Sequence, residues 1–84
     1  MERYILNCAA LNDRETAHDE LLRALPLPEY YGRNLDALWD EVSCMEAEIL
    51  LKNAADADGY GEIILNLLKE AAEENSRLKL TIQA

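Results

Sequence analysis

Asp36 and Asp40 stand four residues apart in Leu35-Asp36-Ala37-Leu38-Trp39-Asp40-Glu41-Val42-Ser43. On a helix that spacing puts both carboxylates on one face, with Ser43 beside them. Paired carboxylates can act as acid and base, ligate a cation, or meet cationic groups of another molecule. Acid–base chemistry needs the two to flank a cleft, whereas these share one helix face. Cation binding has a second candidate in Asp56-x-Asp58. An EF-hand loop counted from Asp56 would need a carboxylate at its fifth position and a glutamate at its twelfth, where Tyr60 and Leu67 stand. Histidine-based chemistry has only His18, which lies beside the apolar face of a helix and reads as a hydrogen-bonded structural residue. Cys8 and Cys44 lack any CxxC spacing, which excludes a structural zinc site from this chain alone. They are expected to be two buried thiols rather than a disulfide. The third chemistry remains. Like charges at i,i+4 destabilise a helix by about 0.2–0.5 kcal/mol, and only Asp36 lies close enough to the helix start to gain from its dipole. Such a pair makes sense if outside cations neutralise it. The plain alternative is a solvated acidic face.

The elements that position this pair begin with Leu27-Pro28-Glu29-Tyr30-Tyr31-Gly32-Arg33-Asn34. Pro28 fixes φ and biases Leu27 toward an extended conformation, Gly32 permits a turn, and Asn34 is a good N-cap. From Asn34 on, Leu35, Leu38 and Val42 share one helix face with Trp39 at its border. Of Tyr30 and Tyr31, one is expected in the core.

Around this segment the pattern runs strand–helices–strand–helix–strand. Tyr4 to Ala9 reads as a buried strand. Asn12 and Asp13 open a helix that runs to about Ala24 and is stopped by Pro26. Ile49 to Leu51 is a second buried strand, and residues 53–61 are a loop. A helix from Glu62 to about Glu74 buries Ile63, Ile64, Leu67, Leu68 and Ala71, with Asn75 as a left-handed cap. Leu78, Leu80 and Ile82 alternate with Lys79 and Thr81 as a third strand. This order predicts an α/β fold, a small parallel sheet with helices packed against it.

Eighty-four residues make a single domain, 1–84, half of them apolar. There is no apolar run long enough for a membrane span and no secretory signal, so a cytoplasmic protein is expected. The net charge of −9 opposes nucleic-acid binding and favours a basic protein partner. The charge is placed unevenly: residues 29–48 hold six acids against Arg33 alone.

The run from Leu27 to Asp40 resembles the defining segment of the barstar family, intracellular inhibitors of small secreted guanyl-specific ribonucleases. The match is carried by Leu27, Pro28, Glu29, Tyr30, Tyr31, Gly32, Asn34, Leu35, Asp36, Ala37, Leu38, Trp39 and Asp40. Outside it the identities thin to scattered ones such as Asn7, His18 and Leu21. The resemblance implies three parallel strands and a site without cofactor or catalysis, in which aspartates take the place of substrate phosphate in a ribonuclease active site. Asp40 matches the principal anchor and Asp36 the second charged contact. Tyr30 and Trp39 match aromatic contacts, Gly32 and Asn34 loop contacts, and Ser43 stands where the family has threonine. Glu70 matches an acidic contact from the long helix. The implied partner is a basic secreted ribonuclease or related toxin, bound by a protein that is monomeric when free. The alternative is a barstar-fold immunity or binding module for a different basic protein. Two departures stand out. The stretch from Leu51 to Glu62 is shorter than the family's, replacing a short helix by a loop. Cys44-Met45 replaces a Gly-Trp pair.

Overall fold

Alternating burial builds the sheet. In the computed structural model, which describes residues 1–84, β1 (Arg3–Asn7), β2 (Ala47–Lys52) and β3 (Leu78–Ile82) pair in parallel, in the order β1-β2-β3. The register sets Tyr4 opposite Ile49 and Ile49 opposite Leu80. Side chains alternate between faces, so Leu6, Ala47, Ile49, Leu51 and Leu78 are buried on one side. Arg3, Ile5, Glu48, Leu50, Lys79 and Thr81 lie on the other. Crossovers of one hand that step in one direction place their helices on the same face, so the second face stays open. There Arg3 pairs with Glu48 at 2.6 Å.

Three helices cover the buried face: α1 (Arg14–Ala24), α2 (Leu35–Val42) and α3 (Tyr60–Glu74). Leu6, Leu11, Leu21, Leu38, Val42, Ile49, Leu51, Ile64 and Leu68 are all fully buried between helices and sheet. Each contributes about 1.5–3 kcal/mol of transfer free energy, largely offset by conformational entropy. Asp13 caps α1, its carboxylate accepting from the Thr16 N–H at 3.3 Å. At the other end Leu25 is extended and Pro26 follows. One polar anchor inside this layer has no sequence signal. Glu20, nearly buried, accepts from the Asn7 N–H at 2.9 Å and from both Nε and Nη2 of Arg23, tying α1 to the end of β1. The Arg23 hydrogen bonds hold its carboxyl below the usual value, with the Asn7 N–H helping, against the upward push of burial.

The structure corrects several local expectations. β1 stops at Asn7, two residues before Ala9, because the Asn7 side chain accepts from the Ala9 N–H and caps a 3-10 turn over Cys8–Ala10. The loop after β2 is as expected, with one 3-10 turn, Ala54–Asp56, and no longer helix. It is clamped by Asn12, which donates to the Asp56 carbonyl at 2.8 Å and accepts from the Asp58 N–H at 2.7 Å. The buried stripe of α3 is Gly61, Ile64, Leu65, Leu68 and Ala71, so Leu65 replaces Ile63, which is half exposed, and Leu67 is only half-buried. Gly61 sets that rotation. It packs so closely on Leu11 and Asn12 that a Cβ would run into the Asn12 amide. Asn75 is extended (φ −120°) instead of left-handed, because its side chain has a tertiary task described below. Both cysteines are free, but only Cys8 is buried. Cys44 falls past the end of α2, its thiol donating back to the Asp40 carbonyl at 3.3 Å.

Candidate functional site

The segment Leu25–Asn34 carries no regular structure, yet it is held at several points. Leu27 N–H donates to the Leu25 carbonyl and Tyr31 N–H to the Pro28 carbonyl, at 2.8 and 3.0 Å. Tyr31 turns inward and is 7% exposed, while Tyr30 is 85% exposed, so the two adjacent tyrosines have opposite fates. The Tyr31 hydroxyl meets Nδ1 of His18 at 2.7 Å, and Nε2 of His18 meets the Tyr60 hydroxyl at 2.7 Å. His18 is thus a buried hub joining α1, the loop and the first residue of α3. Burial lowers its pKa from 6.5, reinforced by the charges of Arg33 and Arg14 and opposed by Asp19. A neutral imidazole carries one donor and one acceptor, which two hydroxyls can satisfy together. Burial, with Tyr60 and Glu41 in support and Arg33 opposing, pushes Tyr31 up to about 12, so its hydroxyl stays protonated.

The left-handed residue of the loop is Arg33 (φ 54°), not Gly32. Gly32 supplies room instead: a Cβ there would stand 3.2 Å from the Asn34 amide nitrogen and 3.3 Å from the Ala37 Cβ. Asn34 caps α2 as its type suggests, accepting from the Ala37 N–H at 2.8 Å and donating to the Gly32 carbonyl at 3.2 Å. At the other end of α2 the buried Asn75 amide donates to the Val42 and Met45 carbonyls, at 3.2 and 2.8 Å. Val42 ends α2, where carbonyls lack intrahelical partners, and its carbonyl receives the Met45 N–H at 3.3 Å as well as the Asn75 amide. The eight-residue helix is therefore fixed at both ends, with Leu38 and Val42 in the core.

What it presents outward is charge. Asp36 and Asp40 are exposed, and the three ion pairs of the protein, Arg3–Glu48, Arg23–Glu20 and Arg33–Asp19, include neither. Between α2 and α3 lies an open depression of about 390 Å³, lined by Leu35, Trp39, Ile63 and Leu67 together with the carboxylates Asp36 and Glu70. A neighbouring one of about 280 Å³ joins Tyr30 and Gly32 to Asp40 and Glu41. A third, of about 310 Å³, puts Asn34 with Asp36. Of the residues singled out in the sequence, Asp36, Trp39 and Glu70 thus share one hollow, and Tyr30, Gly32 and Asp40 another. Ser43 lines none of the three. It is the C-terminal cap of α2, half-buried, its hydroxyl 3.4 Å from the Asp40 carbonyl. Ile63 and Glu41 line these hollows as well, without having been among the candidates the sequence points to. Ile63 has a signal in its spacing, since Ile63, Leu67 and Glu70 follow one side of α3, but only the rotation set by Gly61 shows that this side is open.

The sequence profile of the Barstar (barnase inhibitor) family matches residues 1–84. The chain belongs to the barstar family. A curated relative from Bacillus subtilis (strain 168), named "Putative ribonuclease inhibitor YrdF", is 35% identical over 81 residues, covering 88% of this chain and 89% of its own. The three-stranded parallel sheet with helices on one face fits that membership.

Proposed function

We propose that this barstar-family chain inhibits a basic ribonuclease of the barnase type, acting as a binding protein and not as an enzyme. The observation that carries this reading is the unpaired acidic face of α2. Asp36 and Asp40 repel each other, form no ion pair within the chain, and sit on a helix whose caps leave it little freedom. A surface organised in this way is ready to receive cations without reordering, which lowers the entropic cost of association. In an RNA-cleaving site, cationic side chains await a phosphate. Carboxylates held at a fixed spacing can accept hydrogen bonds from arginine, lysine or histidine in its place. Asp40 is the anchor, Asp36 and Glu70 supply further charge around the apolar hollow of Trp39 and Ile63, and Tyr30 adds an exposed aromatic beside Gly32 and Asn34. Ser43 contributes at the helix end. Net charge of −9 steers a basic partner toward the chain; on this reading the inhibitor meets a secreted nuclease before its export, in the cytoplasm, and is a monomer when free.

One feature favours a target other than barnase itself. Cys44 is exposed and Met45 is packed against the core, so this corner offers no aromatic where the family has a Gly-Trp pair. A different basic nuclease or toxin, bound with other peripheral contacts, is the second reading.

The test is Asp40→Ala against a panel of barnase-type ribonucleases, with inhibition constant and urea midpoint measured together. The mutation should weaken inhibition by about 2–5 kcal/mol, the range for truncating one partner of a buried charge pair, a scale taken over from measured cases that include the barnase–barstar pair itself. Stability should hold or rise by about 0.2–0.5 kcal/mol as the repulsion is relieved. A mutant that inhibits as well as its parent, or that unfolds, sinks the mechanism.

A further inference from the structure

The inhibitory face is acidic except at one corner. Arg14 lines the hollow that contains Asn34 and Asp36, and it also lines an adjoining one of about 290 Å³ with Arg33, Glu15 and His18. The two guanidinium groups therefore flank a second hollow that runs on from the acidic face. Neither sits where the fold alone would favour it. Arg14 is the first residue of α1, where the helix dipole disfavours a cation, and it takes part in none of the ion pairs. Arg33 occupies a left-handed position (φ 54°) that glycine or asparagine would adopt at less cost. Its Nη2 donates to the Asp19 carboxylate at 2.7 Å and the Glu15 carbonyl at 3.3 Å. A guanidinium has five N–H donors, so most of its capacity is left unused, and the side chain stays 42% exposed.

We propose that Arg14 and Arg33 are specificity-determining contacts, selecting ribonucleases that carry an aspartate or glutamate side chain opposite this corner. This rests on the inhibitor reading above. Glu15 and Asp19 balance the two arginines locally, so the corner adds little to long-range attraction. Its contribution is directional: two planar donor forks whose geometry matches a carboxylate. A basic nuclease docked on Asp36 and Asp40 would otherwise press its own cations against these guanidiniums, which like-charge repulsion penalises. A carboxylate at that place on the partner turns the penalty into a contact, so the same pair of residues admits one class of nuclease and rejects another.

The experiment compares the full chain with Arg14→Glu, Arg14→Ala and Arg33→Ala, measuring inhibition constants on the panel member that the parent inhibits best. Asp40→Ala serves as a control for the inhibitor reading. Arg14→Glu should weaken inhibition about tenfold or more, Arg14→Ala and Arg33→Ala by less, and the urea midpoint of Arg14→Glu should hold or rise because an acid suits the start of a helix. A face that works by negative charge alone gives the opposite sign, since one more carboxylate would tighten binding to a basic nuclease. Rim carboxylates of the nuclease are then changed singly to lysine, and one of these variants should restore tight inhibition by Arg14→Glu. Tightening or no change with Arg14→Glu, while Asp40→Ala still abolishes inhibition, overturns the role of the arginines and leaves the inhibitor reading standing. If the parent inhibits no member of the panel, both fall.

Discussion

Replacing His18 by leucine keeps most of the side-chain volume and removes both ring nitrogens. Two hydrogen bonds of 2.7 Å disappear, to Tyr31 and to Tyr60, each with a net contribution of about 0.5–1.5 kcal/mol. The consequences differ at the two ends. Tyr60 is half-buried and can turn its hydroxyl to water, but Tyr31 is 7% exposed and is left with an unpaired buried hydroxyl, at about 1–3 kcal/mol. The expected loss is about 2–4 kcal/mol, a large share of the roughly 4–13 kcal/mol available to a chain of this length. pH gives a second readout. The folded protein lowers the pKa of His18, so as pH falls below about 6.5 the unfolded chain takes up a proton that the folded one refuses. Stability is therefore complete above that value and is lost as pH falls toward the lowered folded value, at no more than about 1.4 kcal/mol per pH unit. Glu20, whose folded pKa is lowered from 4.5, follows the same sign in a more acidic window. Urea midpoints at pH 7.5, 6.5 and 5.5, followed by far-UV circular dichroism, should show the parent weakening in the last interval and His18→Leu flat across all three. Tyr31→Phe should fall between them at pH 7.5. Equal stability of parent and His18→Leu at pH 7.5, or a parent indifferent to pH down to 5.5, would refute the hub.

Asn75→Ala removes the donors to the Val42 and Met45 carbonyls and the acceptor of the Arg77 N–H. It should lower the urea midpoint by an amount equivalent to about 2–4 kcal/mol, and a neutral result would show that water replaces the amide. For the thiols, a disulfide-exchange reagent at pH 8 should titrate one equivalent in the native protein, at exposed Cys44. The second should appear only in urea, because Cys8 is buried and its thiol is pushed up to about 11, by burial first and Glu20 second. Immediate reaction of both would contradict that burial.

The caps and the strand alternation were legible in the sequence because they depend on near neighbours. Asn34 and Asp13 each accept from an N–H three residues on, and Leu78, Leu80 and Ile82 alternate with polar residues whatever lies beyond. The acidic face was legible for the same reason, as i,i+4 spacing fixes it. What could not be read depends on a distant partner. The rotation of α3 follows from Gly61 meeting Leu11 and Asn12. A helical period allows Ile63 or Leu65 to face inward equally well until that contact is known. Asn75 looked like a cap because asparagine tolerates left-handed geometry, whereas its position is decided by carbonyls some thirty residues away. The place of His18 beside an apolar helix face marks it as a hydrogen-bonded structural residue, but its two tyrosines come from separate elements and no spacing announces them.

The order β1-β2-β3, all parallel, bears on when the proposed binding surface comes into being. Tyr4 finds Ile49 and Ile49 finds Leu80, so each strand pairing closes a long stretch of chain before any reward arrives. Folding of such a topology is slow compared with that of a helical bundle of equal length. α2 lies inside the first of these closures; its N-cap, Asn34, is local, but the loop before it is held by the His18 hub and its C-terminal end by the Asn75 amide, both from elsewhere in the chain. A partly folded chain, or a peptide excised around Asp36 and Asp40, would have the charges without their spacing. On the proposed reading, competence to bind should therefore arise only with the complete fold.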